Sequence, residues 1–216
     1  MIIYALCRRL VAWLFLLPLT AMAGPLTADA ARERLLSYIE QTETYAAEFS
    51  QQLTDADGYT EDGGTGRFWL ARPGQFKWLY EQPVRREIVA DGDRIWLYDA
   101  DLDQVTVRDL AGILATTPAG LLAGDTRNLA DYEFSGAEAG TRSTIVLTPR
   151  SPGSDFDRIT MVLDGVALAS LTLDDRFGQQ TVIEFSAARS NVPVAADIFT
   201  FSVPANADVI DETGGE

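Results

Sequence analysis

Gly66-Arg67-Phe68-Trp69-Leu70-Ala71-Arg72-Pro73-Gly74-Gln75-Phe76-Lys77-Trp78-Leu79-Tyr80 reads as two strands around an Arg-Pro-Gly turn. Pro73 fixes φ for a reversal and Gly74 accepts φ > 0, so the chain turns there at little cost. In the second strand Phe76, Trp78 and Tyr80 share one face, while Gln75, Lys77 and Leu79 share the other. Three aromatic rings therefore line one surface, with Arg72 at its entrance. On alternation alone the surface is either an ordinary sheet core or the wall of a pocket for something large and apolar.

The same period spreads in both directions. Tyr45, Ala47, Phe49, Gln51 and Leu53 alternate before the segment, and Asp57-Gly58 with Asp62-Gly63-Gly64 marks the intervening reversal. After it, Ile88 and Ala90 and then Ile95 and Leu97 flank an Asp91-Gly92 hairpin turn, and Val105 and Val107 follow. Strand patterns resume around 132–134, 144–148, 156–163, 166–173 and 179–186, with Asp164-Gly165 as another hairpin signal. A last strand is expected through Phe199, Phe201 and Val203, and the acidic tail from Asp208 is expected to fray. Two stretches break the period. Residues 28–42 place Leu35, Leu36 and Ile39 at helical spacing, and residues 109–123 suit short helical pieces, with Pro118 where a helix can start but not continue. The pattern predicts an α+β domain: a single, strongly curved antiparallel sheet of roughly ten or eleven strands, with helices over its concave face.

The chain of 216 residues carries 17 Lys+Arg against 32 Asp+Glu, a net charge of -15. Lys77 is its sole lysine. Such a balance repels nucleic acid and anionic membrane surfaces. Residues 1–23 have the form of a secretory signal: Arg8 and Arg9, an apolar run from Leu10 to Leu19, then Ala21-Met22-Ala23 with small residues at the cleavage positions. The run is too short to span a bilayer, which takes about 20 residues. Residues 24–216 are expected to form one exported domain. They hold no cysteine and no histidine, which excludes thiol and histidine catalysis, Ser-His-Asp triads and His/Cys metal sites. Asp99-Ala100-Asp101-Leu102-Asp103 imitates the start of an EF-hand loop, but Gln104 stands where that loop needs Gly and Leu110 where it needs Glu. A solvated turn explains it better, and no cofactor or metal is expected.

The Arg-Pro-Gly-x-Phe-x-Trp run, then Asp91-Gly92-Asp93-Arg94-Ile95-Trp96-Leu97-Tyr98-Asp99, then Thr117-Pro118-Ala119-Gly120-Leu121-Leu122-Ala123-Gly124-Asp125, resembles the periplasmic outer-membrane lipoprotein carriers, the LolA family, in order and spacing. The resemblance implies an unclosed half-barrel with a helical lid over an apolar cavity, and a periplasmic, non-enzymatic, monomeric carrier. It implies that acylated lipoproteins are accepted from an inner-membrane ABC transporter and delivered to an outer-membrane acceptor lipoprotein. It makes Arg72 the lid latch, bonding backbone groups near Ile39 in the first helix and near Leu122 and Ala123 in the second. It places Phe76 at the cavity mouth as a contact for the inner-membrane machinery. Leu35, Phe49, Trp78, Tyr80, Ile95, Leu97 and Leu121 are the positions expected to line the cavity. The alternatives are a same-fold carrier of another envelope lipid or glycolipid, and a periplasmic regulator that senses lipoproteins.

Overall fold

The computed structural model of the protein describes residues 24–116, 119–151 and 153–214. The expected signal over 1–23 and Pro118 lie outside the described residues. A short strand β1 (Gly24–Leu26) leads into α1 (Ala28–Gln41), whose first turn is closed by the Thr27 hydroxyl accepting from Ala30 N at 3.2 Å. Ala31, Leu35, Tyr38 and Ile39 form its buried stripe, at the spacing an amphipathic helix requires.

A run of hairpins follows: β2 (Thr44–Thr54), β3 (Thr60–Ala71), β4 (Gln75–Gln82), β5 (Arg86–Asp91), β6 (Arg94–Asp99) and β7 (Gln104–Asp109). Two short helices, α2 (Leu110–Thr116) and α3 (Ala119–Ala123), then interrupt the sheet. After a 3₁₀ turn the chain returns through β8 (Tyr132–Ala139), β9 (Arg142–Pro149), β10 (Phe156–Asp164), β11 (Ala167–Asp175) and β12 (Gln180–Ser190). A second 3₁₀ turn, Ala196–Phe199, precedes β13 (Asp208–Asp211). All strands belong to one sheet in the order β1-β8-β9-β10-β11-β12-β2-β3-β4-β5-β6-β7-β13. The chain ends of the sheet, β1 and β13, do not pair with each other, so the barrel stays unclosed. Among the described residues every pairing is antiparallel except β13 on β7, which is parallel.

Register decides what faces inward. Tyr45 lies opposite Leu70, Ala47 opposite Phe68 and Phe49 opposite Gly66; across the next pairing Phe68 meets Trp78 and Leu70 meets Phe76. These rings interlock: Phe49 meets Trp78 edge-on with centroids 4.9 Å apart, and Phe68 lies 4.3 Å from Trp78. A Cβ at Gly66 would fall 1.9 Å from the Leu79 carbonyl, so only glycine allows the backbone approach that bends the sheet there. Helix α1 packs on β8 and β9, and α2 and α3 cover the other side of the concavity against β6, β7 and β3. Arg34 fastens α1 to its side by donating to Ser143 Oγ at 3.0 Å and Gly165 O at 2.7 Å.

The outer face has its own core. Leu79, Val89, Val105 and Val107 are buried there, and the segment after β12 crosses over them. Its Phe199 is buried and its Phe201 stacks on Trp96 with centroids 5.6 Å apart. The strand expected through Phe199–Val203 is therefore not a strand. Alternate rings do point the same way, but toward the sheet's back and not into a ladder, which a period of two cannot distinguish. The tail expected to fray instead forms β13 on the edge of β7. Just beyond it Arg108 Nε donates to Glu212 and Gly214 N to Asp109 Oδ2, but β13 itself leaves Val209 and Ile210 exposed, so it carries no burial pattern to read. With β1 it brings the described strands to thirteen. Gly63 and Gly64, expected in a reversal, lie inside β3.

Candidate functional site

The turn between β3 and β4 holds the site together. Arg72 N donates to Glu43 O at 2.8 Å, its peptide bond to Pro73 is cis, and Gly74 has φ +76°. The half-buried guanidinium bonds backbone carbonyls from two directions. Nε donates to Leu122 O at 3.1 Å, and Nη1 donates to Ile39 O at 3.3 Å and also to Thr42 O. Its carbon lies 5.0 Å from the centroid of the Tyr38 ring, within cation–π range.

Those carbonyls are free because helices end there. Helix α3 closes with Gly124 N on Leu121 O at 3.2 Å and Asp125 N on Gly120 O at 2.8 Å, the paired bonds of a glycine C-cap. That cap leaves the Leu122 and Ala123 carbonyls orphaned. Arg72 Nε takes the first and Gly74 N takes the second at 3.4 Å. Ala123 thus meets the Arg-Pro-Gly turn through Gly74, and not through Arg72 as expected. At the end of α1, Thr42 N caps Tyr38 O at 3.1 Å and Asn191 Nδ2 takes Gln41 O at 2.8 Å, leaving Ile39 and Thr42 to the arginine. Thr42 was not legible as a partner, because nothing in its side-chain type marks a carbonyl acceptor.

Polar side-chain atoms crowd this junction. Among the described residues, the buried side-chain polar atoms without a hydrogen-bond partner are Tyr38 OH, Thr42 Oγ1 and Arg72 Nη2, all at this junction. Burial pushes the Tyr38 phenol up, against the Arg72 charge and the polar contact between the two side chains. Burial likewise lowers the Arg72 value, against Tyr38 raising it.

Phe76 is only 2% exposed and belongs to the inner core with Leu110, Leu121 and Leu122. It is not an exposed ring at a rim: alternation gave its face correctly, but this end of the face lies under the helical cover. Leu35, Phe49, Trp78, Ile95 and Leu121 are packed in the same core. Tyr80 and Leu97 are half-buried and line a cavity of about 340 Å³ toward the end of the sheet away from Arg72. Ile88, Gln51, Arg86 and Gln104 are also in its wall, with Tyr80 OH donating to Gln51 Oε1 at 2.9 Å and Arg86 paired to Asp99 at 3.2 Å. Burial pushes the Tyr80 phenol up to about 12. The cavity's polar rim was missed, since Gln51 and Gln104 look like ordinary strand residues. At the Asp99-Ala100-Asp101 turn, Asp99 Oδ1 accepts from Asp101 N at 3.0 Å. Among the described residues no group of His, Cys, Asp or Glu is placed to hold a metal ion, and no helix is long and apolar enough to cross a membrane.

Comparison with known proteins bears on this geometry. The family described as outer membrane lipoprotein carrier protein LolA matches residues 40–202. The outer-membrane lipoprotein carrier protein of Chromohalobacter salexigens is 39% identical over 197 residues, covering 89% of this chain and 94% of its own. That of Nitrosospira multiformis is 40% identical over 183 residues, covering 82% and 87%. Among solved structures, an uncharacterized conserved protein from Thermus thermophilus superposes with a TM-score of 0.52 at 11% identity, over 84% of this chain and 99% of its own, a likeness of fold alone.

Proposed function

Because the chain belongs to the outer membrane lipoprotein carrier family LolA, we propose that it carries acylated lipoproteins through the periplasm, with the Arg72 turn as the latch of its lid. One observation carries this reading. A single guanidinium bonds the ends of both helical covers, above an inner face packed with aromatic and aliphatic side chains.

The physical problem is to move acyl chains through water. Burial is worth about 0.8 kcal/mol per methylene, so a chain of roughly fifteen is held in a membrane by on the order of 12 kcal/mol. A carrier must offer comparable burial and still let go at a second membrane. In the closed conformation Leu110, Leu121 and Leu122 fill the inner face. Lifting α2 and α3 exchanges those contacts for the cargo's acyl chains. Closing then competes with cargo, so lipid is held below its full burial energy and passes to a tighter acceptor. The orphaned polar atoms at the junction support this, because they keep the closed state from being too stable. The protein acts here as a carrier and not as a catalyst. Loading from an inner-membrane ABC complex, delivery to an outer-membrane acceptor lipoprotein, export after cleavage behind Ala23, and action as a monomer complete the proposal.

Arg72→Leu tests it. A hydrogen bond to a charged group contributes about 1.5–3 kcal/mol net, so its loss should slow release to an acceptor by at least about tenfold while leaving cargo uptake intact. Equal transfer by mutant and wild type removes the latch. Mass spectrometry of the periplasmic protein should find acylated protein bound; free lipid alone would overturn the lipoprotein cargo.

A further inference from the structure

Arg72 reaches Leu122 only because the residue two places further on has no side chain. Gly124 has φ +88°, and a Cβ there would lie 2.9 Å from Arg72 Cδ and 3.3 Å from its Nε. Nε is the atom that donates to Leu122 O at 3.1 Å. The clash therefore falls on the bonding part of the arginine and not on a free end that can swing aside. Retreat is opposed on the far side too, where the same guanidinium bonds Ile39 O and Thr42 O and covers the Tyr38 ring.

Gly124 cannot move away either. It caps α3 through its own N–H, and the next residue is pinned twice. Asp125 N bonds Gly120 O, and the Asp125 carboxylate accepts from Arg127 N at 3.0 Å, Nε at 2.9 Å and Nη2 at 2.6 Å. We propose that Gly124 is a positioning residue of the latch: its missing side chain is the slot for the stem of Arg72, and a side chain there shifts the lid toward open without altering the inner face. The inference rests on Arg72 being the latch. It makes helix cap and latch one device, since the same glycine ends α3, frees the Leu122 carbonyl and admits the donor that takes it.

Backbone strain alone is the competing cause, because any side chain is disfavoured at positive φ. Gly58 supplies the control. Its φ is +85°, and a Cβ there meets nothing within 4 Å. Gly124→Ala, Gly58→Ala, Arg72→Ala and the double variant Arg72→Ala/Gly124→Ala are compared by binding of a fluorescent apolar dye to the opened inner face, with melting temperature alongside. Gly124→Ala should raise dye binding about tenfold, as Arg72→Ala does, a typical size for coupling within one device. Gly58→Ala should lower the melting temperature and leave dye binding at the wild-type level. In the Arg72→Ala background Gly124→Ala should add little, because the stem it collides with is gone. The proposal is overturned if Gly124→Ala behaves like Gly58→Ala, or raises dye binding by the same factor with and without Arg72. If Gly124→Ala alone does not fold, recovery in the double variant supports the collision and failure of both overturns it. A silent Arg72→Ala removes the latch and this inference together, whereas a responsive Arg72→Ala beside a silent Gly124→Ala removes only the positioning role.

Discussion

The sheet buries apolar side chains on both faces, but the two covers are built differently. On the outer face Leu79, Val89, Val105 and Val107 lie beneath Phe199 and the Trp96–Phe201 stack, and the neighbouring Lys77–Glu87 pair is closed at 2.8 Å. Burial opposes ionisation of Glu87, but hydrogen bonds from Lys77 and Arg85 win and hold its carboxyl below the usual value. On the inner face the cover is fastened by an arginine with one nitrogen unpaired, beside a buried hydroxyl of Tyr38 and another of Thr42, each without a partner. A buried polar group left unmade costs about 1–3 kcal/mol. Among the described residues the outer cover thus has no unpartnered buried polar side-chain atom, whereas the inner one closes beside three. That difference suits a lid.

The largest effect expected is from Phe76→Glu. Its ring is in the inner core, so an unpaired carboxylate there should cost several kcal/mol, enough to unfold a marginal domain. A thermal melt checks it. A variant that melts like wild type would mean that the inner face near Arg72 is open to water, and the contrast between the faces would lose its basis. Next comes Phe199→Ala, which empties the outer cover at a cost of about 3–5 kcal/mol, as for other large-to-small core changes. Stability should fall with no rise in dye binding at the inner face; a rise would show that the two covers are coupled. Tyr38→Phe is the smallest. Removing an unpaired buried hydroxyl should leave stability at pH 7 within about 1 kcal/mol of wild type, on the favourable side. The phenol's value is raised by burial from 10.0. Its contribution is complete below pH 10 and is lost as the pH climbs above that, because the unfolded chain ionises first. Alkaline denaturation curves should therefore be shallower for Tyr38→Phe than for wild type. Tyr45 and Tyr80, also raised by burial, keep some slope in the variant. An unchanged curve would mean that Tyr38 is not desolvated in the closed state.

Legibility differed by kind of interaction. Hairpins around Gly74, Gly92 and Gly165 were readable because their glycines stand between alternating runs, and those runs fix register by what must be buried. The half-barrel itself and the pairing of Arg72 with two helix ends came from resemblance, not from period. Phe76 showed the limit of alternation, which assigns a face but not what covers it. The strap carrying Phe199 and Phe201 has the period of a strand without its ladder, and β13 has the ladder without the period.

The sequence by itself determined the faces of the central strands, the reversals at Gly74, Gly92 and Gly165, the two helical interruptions and, over residues 24–216, the exclusion of histidine and cysteine chemistry, because each depends on residue type or on near neighbours along the chain. The tertiary structure alone decided which apolar face is closed, that Thr42 joins Ile39 at the arginine, and that Gly124 leaves the room for its stem. Those outcomes rest on backbone carbonyls and empty volumes brought together from residues 30 or more apart in the chain, and neither a carbonyl nor a void has a letter in the sequence.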